Sequence, residues 1–123
     1  MPLDATKLRE SEAVLRGIIG ARLTSVQFVL NYLILGFDNK GAITALVWPE
    51  ICDDATILRF GNAGYRDRLC GLIEKVVQDV QFTEDETIII TLSDTLIRIP
   101  LQSCKHPGER AIFTYPKHGL CVW

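Results

Sequence analysis

Apolar residues recur at Leu69, Leu72, Ile73, Val76, Val77 and Val80, an i, i+3, i+4, i+7, i+8, i+11 spacing that places all six on one stripe of an α-helix. Arg66, Arg68, Glu74, Lys75 and Gln78 fall on the opposite side, so the pattern predicts a helix over residues 65–78. Gly61, Asn62, Ala63 and Gly64 precede it as a turn and cap. A weaker version of the same periodicity, carried by Leu8, Val14, Leu15, Ile18 and Ile19, predicts a first helix over residues 4–19, with Asp4 at its start and Gly17 and Gly20 weakening its end.

Elsewhere the chain is rich in Val, Ile, Leu, Thr and aromatic residues interleaved with polar ones, the signature of half-buried strands. Strands are predicted over residues 22–30, 32–37, 42–48, 56–60, 87–92, 95–101, 111–115 and 119–123. Leu30-Asn31, Asp38-Asn39-Lys40-Gly41, Ser93-Asp94 and Pro116-Lys117-His118 supply hairpin turns between them. Strands that follow one another through hairpins, without a crossover helix between each pair, pair antiparallel. The expected fold is therefore α+β: a mainly antiparallel sheet of six to eight strands in hairpins, with two helices packed on one face. Residues 1–123 read as one domain, with no internal repeat, low-complexity tract or linker.

Composition agrees with a single core. The chain has 123 residues, 48% of them hydrophobic and 23% charged, enough to bury a core without metal or disulfide staples. Mean hydropathy is high at +0.19, yet the most apolar stretch, residues 26–37, is interrupted by Gln27, Asn31 and Gly36. No run approaches the ~20 apolar residues of a membrane span. Asp4, Lys7, Arg9, Glu10 and Glu12 at the N-terminus do not form a signal-peptide pattern. Cys52, Cys70, Cys104 and Cys121 are accordingly expected to be reduced thiols in a cytoplasmic protein.

Candidate chemistry is sparse. Cys104-x-His106 and His118-x-x-Cys121 contain the donors of a Cys2His2 metal site. The spacing matches no familiar finger, and cysteine in apolar segments is far more often a small buried hydrophobe. Lys105-His106 and Lys117-His118 hold the residue types of metal-independent phosphodiester cleavage, which requires acid and base within reach of one substrate. Phosphate loops, nucleophile elbows, dinucleotide fingerprints and zinc-protease motifs are missing from the chain. No catalytic residue, metal ligand or cofactor is assigned. A pI near 5.6 disfavours nucleic-acid binding. Charge is more informative by region: residues 1–49 carry +1, residues 50–86 carry −5 and residues 87–123 carry +2. Asp53, Asp54, Glu84, Asp85 and Glu86 in the acidic middle third are the candidate face for a basic protein partner, because complementary charge speeds association and selects partners.

The pattern Gly20-x-x-x-Thr24-Ser25-Val26-x-Phe28-Val29-x-x-Tyr32-Leu33-x-Leu35-x-Phe37, with Gly64-Tyr65-Arg66-Asp67-x-Leu69-Cys70-x-Leu72-Ile73, Gly108-Glu109-x-Ala111-x-Phe113 and the terminal Trp123, carries a resemblance from about Gly20 onward. It resembles small, mostly uncharacterised bacterial single-domain proteins, similar to the immunity proteins of polymorphic toxins such as those of contact-dependent growth inhibition. The resemblance implies a cytoplasmic, non-enzymatic factor that neutralises a cognate toxin, a nuclease being one candidate, by stoichiometric binding. The competing expectation is a small metal- or His-dependent hydrolase built on the Cys/His set.

Overall fold

The computed structural model describes residues 5–103, 110–115 and 119–123. Two helices, α1 (Ala5–Leu15) and α2 (Tyr65–Cys70), accompany ten strands: β1 (Leu23–Val29), β2 (Tyr32–Phe37), β3 (Gly41–Ala45), β4 (Glu50–Cys52), β5 (Ile57–Leu58), β6 (Val77–Phe82), β7 (Thr87–Leu92), β8 (Thr95–Pro100), β9 (Ala111–Tyr115) and β10 (Gly119–Val122). The α+β class and the antiparallel pairing are as expected. In place of one sheet of six to eight strands there are two sheets of five: sheet I in the order β1-β2-β3-β9-β10, and sheet II in the order β5-β4-β8-β7-β6. Leu33, Leu35 and Ile43 from sheet I, Ile88, Ile90 and Ile97 from sheet II, and Leu15 and Leu69 from the helices are all fully buried in one core.

The long second helix is corrected. It stops at Cys70, and the chain reverses at Glu74, a non-glycine residue at φ +83°, before entering β6. Val77 and Val80 are indeed three apart and both buried, but a β-bulge produces this spacing. Val77 pairs with Leu92 and Asp79 with Thr91, so Gln78 is an extra residue on β6. The bulge shifts the alternation by one and makes a strand imitate helical periodicity. Val76, assigned to the apolar stripe, is 44% exposed. Strands β4 and β6, both unpredicted, complete sheet II.

The element order also overturns the expectation of no repeat. It runs α-β-β-β-β-β twice. In each half the first three strands form a meander whose first strand bulges one residue after its start, between Leu23 and Ser25 or between Val77 and Asp79. The fourth and fifth strands of each half then leave their own meander and complete the other's, β9 pairing with β3 and β4 with β8. Residues 54 apart correspond at the centre of this pseudo-two-fold arrangement. Gly20 N donates to Val77 O at 2.9 Å and Glu74 N to Leu23 O at 2.7 Å; Val77 N donates to Ala21 O at 2.8 Å and Leu23 N to Lys75 O at 2.9 Å. Each bond is the image of the other under the same offset. Gly20 (φ +91°) and Glu74 (φ +83°) share one left-handed conformation, and Val26-Gln27-Phe28 reappears as Val80-Gln81-Phe82.

Candidate interaction surfaces

The acidic residues singled out by sequence lie in two turns of sheet II. Asp53 and Asp54 sit between β4 and β5, and Glu84, Asp85 and Glu86 between β6 and β7. Cys52 pairs with Leu96 beside the β7–β8 turn, whereas Phe82 pairs with Ile88 at the far end of β7. The two turns therefore occupy opposite ends of the sheet and do not form one continuous face. Asp53 Oδ1 accepts the backbone N–H groups of Ala55 and Thr56 at 3.1 and 3.0 Å, shaping its own turn. Glu86 is 5% exposed and its Oε2 accepts a hydrogen bond from Arg110 Nη1 at 2.6 Å, which ties the β6–β7 turn to the entry of β9. It is a structural ion pair, not a solvated charge. Asp54, Glu84 and Asp85 are exposed.

At the Asp53 end the fold adds a residue that the sequence reading missed. Arg68 Nη2 lies 3.5 Å from Asp53 Oδ2 and donates to Thr95 Oγ1 at 2.9 Å, and Thr95 Oγ1 donates to Asp94 Oδ1 at 3.3 Å. Asp53 thus meets the Arg68 guanidinium directly and Asp94 meets it through Thr95, two carboxylates to one cation, with the exposed Asp54 next to Asp53 in the same turn. Asp94 is 40 or more positions away in the chain, and only its place in a hairpin turn hinted at exposure.

The outward faces of the two sheets differ in kind. Register places Gln27, Ile34, Thr44, Ile112 and Val122 in one cross-strand row of sheet I. The matching row of sheet II runs Gln81, Ile89, Arg98 and Glu50, and Arg59, next to β5, extends it. Glu50 binds both arginines, Arg59 Nε at 2.9 Å and Arg98 Nη1 at 3.3 Å. Where sheet II carries this three-charge lattice, sheet I carries Thr44, Ile112 and Val122. The neighbouring row of sheet I, Ser25, Gly36, Ala42, Thr114 and Leu120, is uncharged as well. Leu120 is 59% exposed, while a shallow hollow of about 390 Å³ lies over Ala42 and Thr114, bounded by Asn39, Gly41 and Tyr115.

A second concavity, about 330 Å³, lies beside α2 and is lined by Phe60, Asn62, Tyr65, Arg66 and Asp67. Phe60 stacks on Trp48 with ring centroids 3.9 Å apart, and the Arg66 guanidinium lies 5.5 Å from the centre of the Phe28 ring. Two of its polar groups are internally engaged: Asn62 Oδ1 accepts from Arg59 N at 2.7 Å, and the Tyr65 hydroxyl donates to Pro49 O at 2.6 Å. Burial, reinforced by the negative charge of Glu50, pushes the Tyr65 phenol well above its ordinary pKa. Residues 61–64 behave as the predicted turn, and the α2 that they open has six residues.

Cys104, Lys105, His106, Lys117 and His118, and with them the metal and hydrolase alternatives, lie outside the described residues. Cys52 is a buried and Cys70 an exposed free thiol. Among the described residues no three His, Cys, Asp or Glu side chains gather as a metal site, and no helix is long and apolar enough to cross a membrane. Comparison of the chain with protein-family models, curated proteins and solved structures returned no match in any of the three.

Proposed function

We propose that the chain is a protein-binding immunity factor that neutralises a cognate toxin by stoichiometric occlusion, with the acidic turns of sheet II meeting a basic surface of the toxin. The observation that carries this reading is the corner at Arg68, where Asp53 and, through Thr95, Asp94 bring two carboxylates from two turns to one cation, with the exposed Asp54 adjoining Asp53. Such exposed charges contribute little to stability. Their field extends about a Debye length, roughly 10 Å at 0.1 M salt, and accelerates encounter with a basic cleft such as that of a nuclease. Glu84 and Asp85 supply a second negative turn, whereas Glu86 serves the fold.

Affinity capture with the product of the gene directly upstream tests the partner. Stopped-flow association at two ionic strengths then tests the surface. Asp54→Lys with Asp94→Lys is expected to slow association by about tenfold at low salt and to flatten its salt dependence while leaving the fold intact. Association indifferent to both salt and charge reversal would remove the acidic corner from the interface.

A further inference from the structure

We propose that the outer edge of β1 is a strand-addition site, at which an extended segment of a partner protein, apolar at alternate positions and carrying one Asp or Glu, pairs with the backbone of Val26 and Phe28. Strands β1 and β6 are the edge strands of their sheets, and the pseudo-two-fold makes Val26 and Phe28 the images of Val80 and Phe82. Val29 and Tyr32 close a two-residue turn, so Val29, Gln27 and Ser25 bond to β2 while the N–H and C=O groups of Val26 and Phe28 point outward. On β6 the matching positions are closed by side chains that follow from α1: Glu12 Oε2 accepts from Phe82 N at 2.9 Å, and Arg16 Nη1 donates to Val80 O at 2.9 Å. On β1 they are open. Arg66 and Cys70 of α2 stand 54 positions after Glu12 and Arg16. A guanidinium accepts no hydrogen bond, and Arg66 lies over the Phe28 ring instead. Among the described residues, nothing pairs with Phe28 N or Val26 O on this side of the strand.

What is open defines the occupant. Donors and acceptors repeated on alternate residues of an extended strand match another extended backbone. Residues 23–30 hold no Pro, Lys, Arg, Asp or Glu, the residues that ordinarily guard an edge. Val26 and Phe28 are half-buried against the core, so apolar side chains opposite them extend that core. Arg66 has no ion-pair partner among the described residues, and an acidic residue of the incoming segment supplies one. The same charge argues against a second copy of β1 as the occupant. Pairing Val26 with Phe28 of a copy would set the two Phe28 residues on one face about 7–8 Å apart, each under a guanidinium, with no carboxylate on either strand. The assignment stands apart from the acidic turns of sheet II, which belong to other strands.

The probe is the peptide acetyl-Thr-Glu-Thr-Val-Thr-Val-Thr-amide, whose valines fall opposite Phe28 and Val26 in an antiparallel pairing and whose Glu falls toward Arg66. Added to the isotope-labelled full chain up to about 5 mM, it should shift the Val26 and Phe28 amide NMR signals saturably, with Kd on the order of 1 mM. Hydrogen exchange at those two amides should slow, and exchange at Phe82 should not change. N-methylation of both valines removes the donors that reach β1 and should abolish binding. N-methylation of the two threonines that flank the first valine, whose N–H groups point away from β1, should leave the affinity within about twofold. Arg66→Gln should weaken binding about threefold, to the level of the peptide's Gln analogue. Absence of shifts in β1, shifts confined to β5 or β10, equal effects of the two methylations, or a preference for Glu unchanged in Arg66→Gln would overturn the proposal. So would concentration-dependent shifts of the β1 amides without peptide, which would make a second copy the occupant.

Discussion

Sheets I and II share one plan and differ where they face away from the core. Their inward positions correspond pair by pair, Leu35 with Ile90 and Ile43 with Ile97, and so do Leu15 and Leu69 of the two helices, each 0% exposed. Outward, Thr44 and Ile112 of sheet I stand where sheet II has Arg98 and Glu50. The inward pattern is common because a shared core admits only close-packed apolar side chains. Outward positions are free of that constraint, so the two faces diverge into different surfaces. Sheet II closes its charges on one another, whereas sheet I presents none in its central rows.

The largest effects should come from the shared interior. Leu35→Ala and Ile90→Ala remove equivalent fully buried side chains, and each should cost about 2–5 kcal/mol. Denaturant unfolding should show a single transition in both variants, because the exchanged hairpins make each sheet depend on both halves of the chain. Two separable transitions would break the equivalence. Next come the ion pairs. Glu86→Gln leaves Arg110 half-buried without its counter-charge and should cost about 1–3 kcal/mol, whereas Glu84→Gln should fall within about 0.5 kcal/mol of the parent. Equal effects would show that the β6–β7 turn is uniformly solvated.

Tyr65→Phe, which strands the Pro49 carbonyl, should cost about 1 kcal/mol. Because the Tyr65 pKa is raised in the fold, its neutral form contributes stability that is fully present below about pH 10, the ordinary tyrosine pKa, and is lost as pH rises above it. Tyr65→Phe should flatten this alkaline loss in a pH series of thermal unfolding. A loss unchanged by the substitution would place its origin elsewhere. The smallest effects concern the paired left-handed residues. Glu74→Gly should stabilise by up to about 1 kcal/mol, and Gly20→Ala should destabilise by a similar amount, since an L-residue at positive φ is strained. Opposite signs from corresponding positions would confirm that one backbone conformation is built twice.

Much of this architecture was legible in the chain. Alternation located eight strands, and the Asp38–Gly41, Ser93-Asp94 and residue 61–64 turns fell where Asn, Asp and Gly permit tight reversals. Strand β6 was hidden because its bulge at Gln78 gave Val77 and Val80 helical spacing, and β4 because three residues after Pro49 carry too little pattern. The repeat was hidden because core packing constrains apolar character and spacing more than residue identity. Among its central strands, only Val-Gln-Phe recurs intact, at Val26 and Val80.

Local chemistry along the chain determined the α+β class, the hairpin connections, the regional excess of acid and which residues were apolar enough for a core. Those properties arise from backbone propensity and from periods of two and 3.6, which act between near neighbours. The exchange of hairpins between halves, the separation of the two acidic turns, the burial of Glu86, the joining of Asp94 to Asp53 and the contrast between two outer faces were decided only in three dimensions. Each depends on which strands pair and in what register, and a shift of one residue would turn every outward side chain inward.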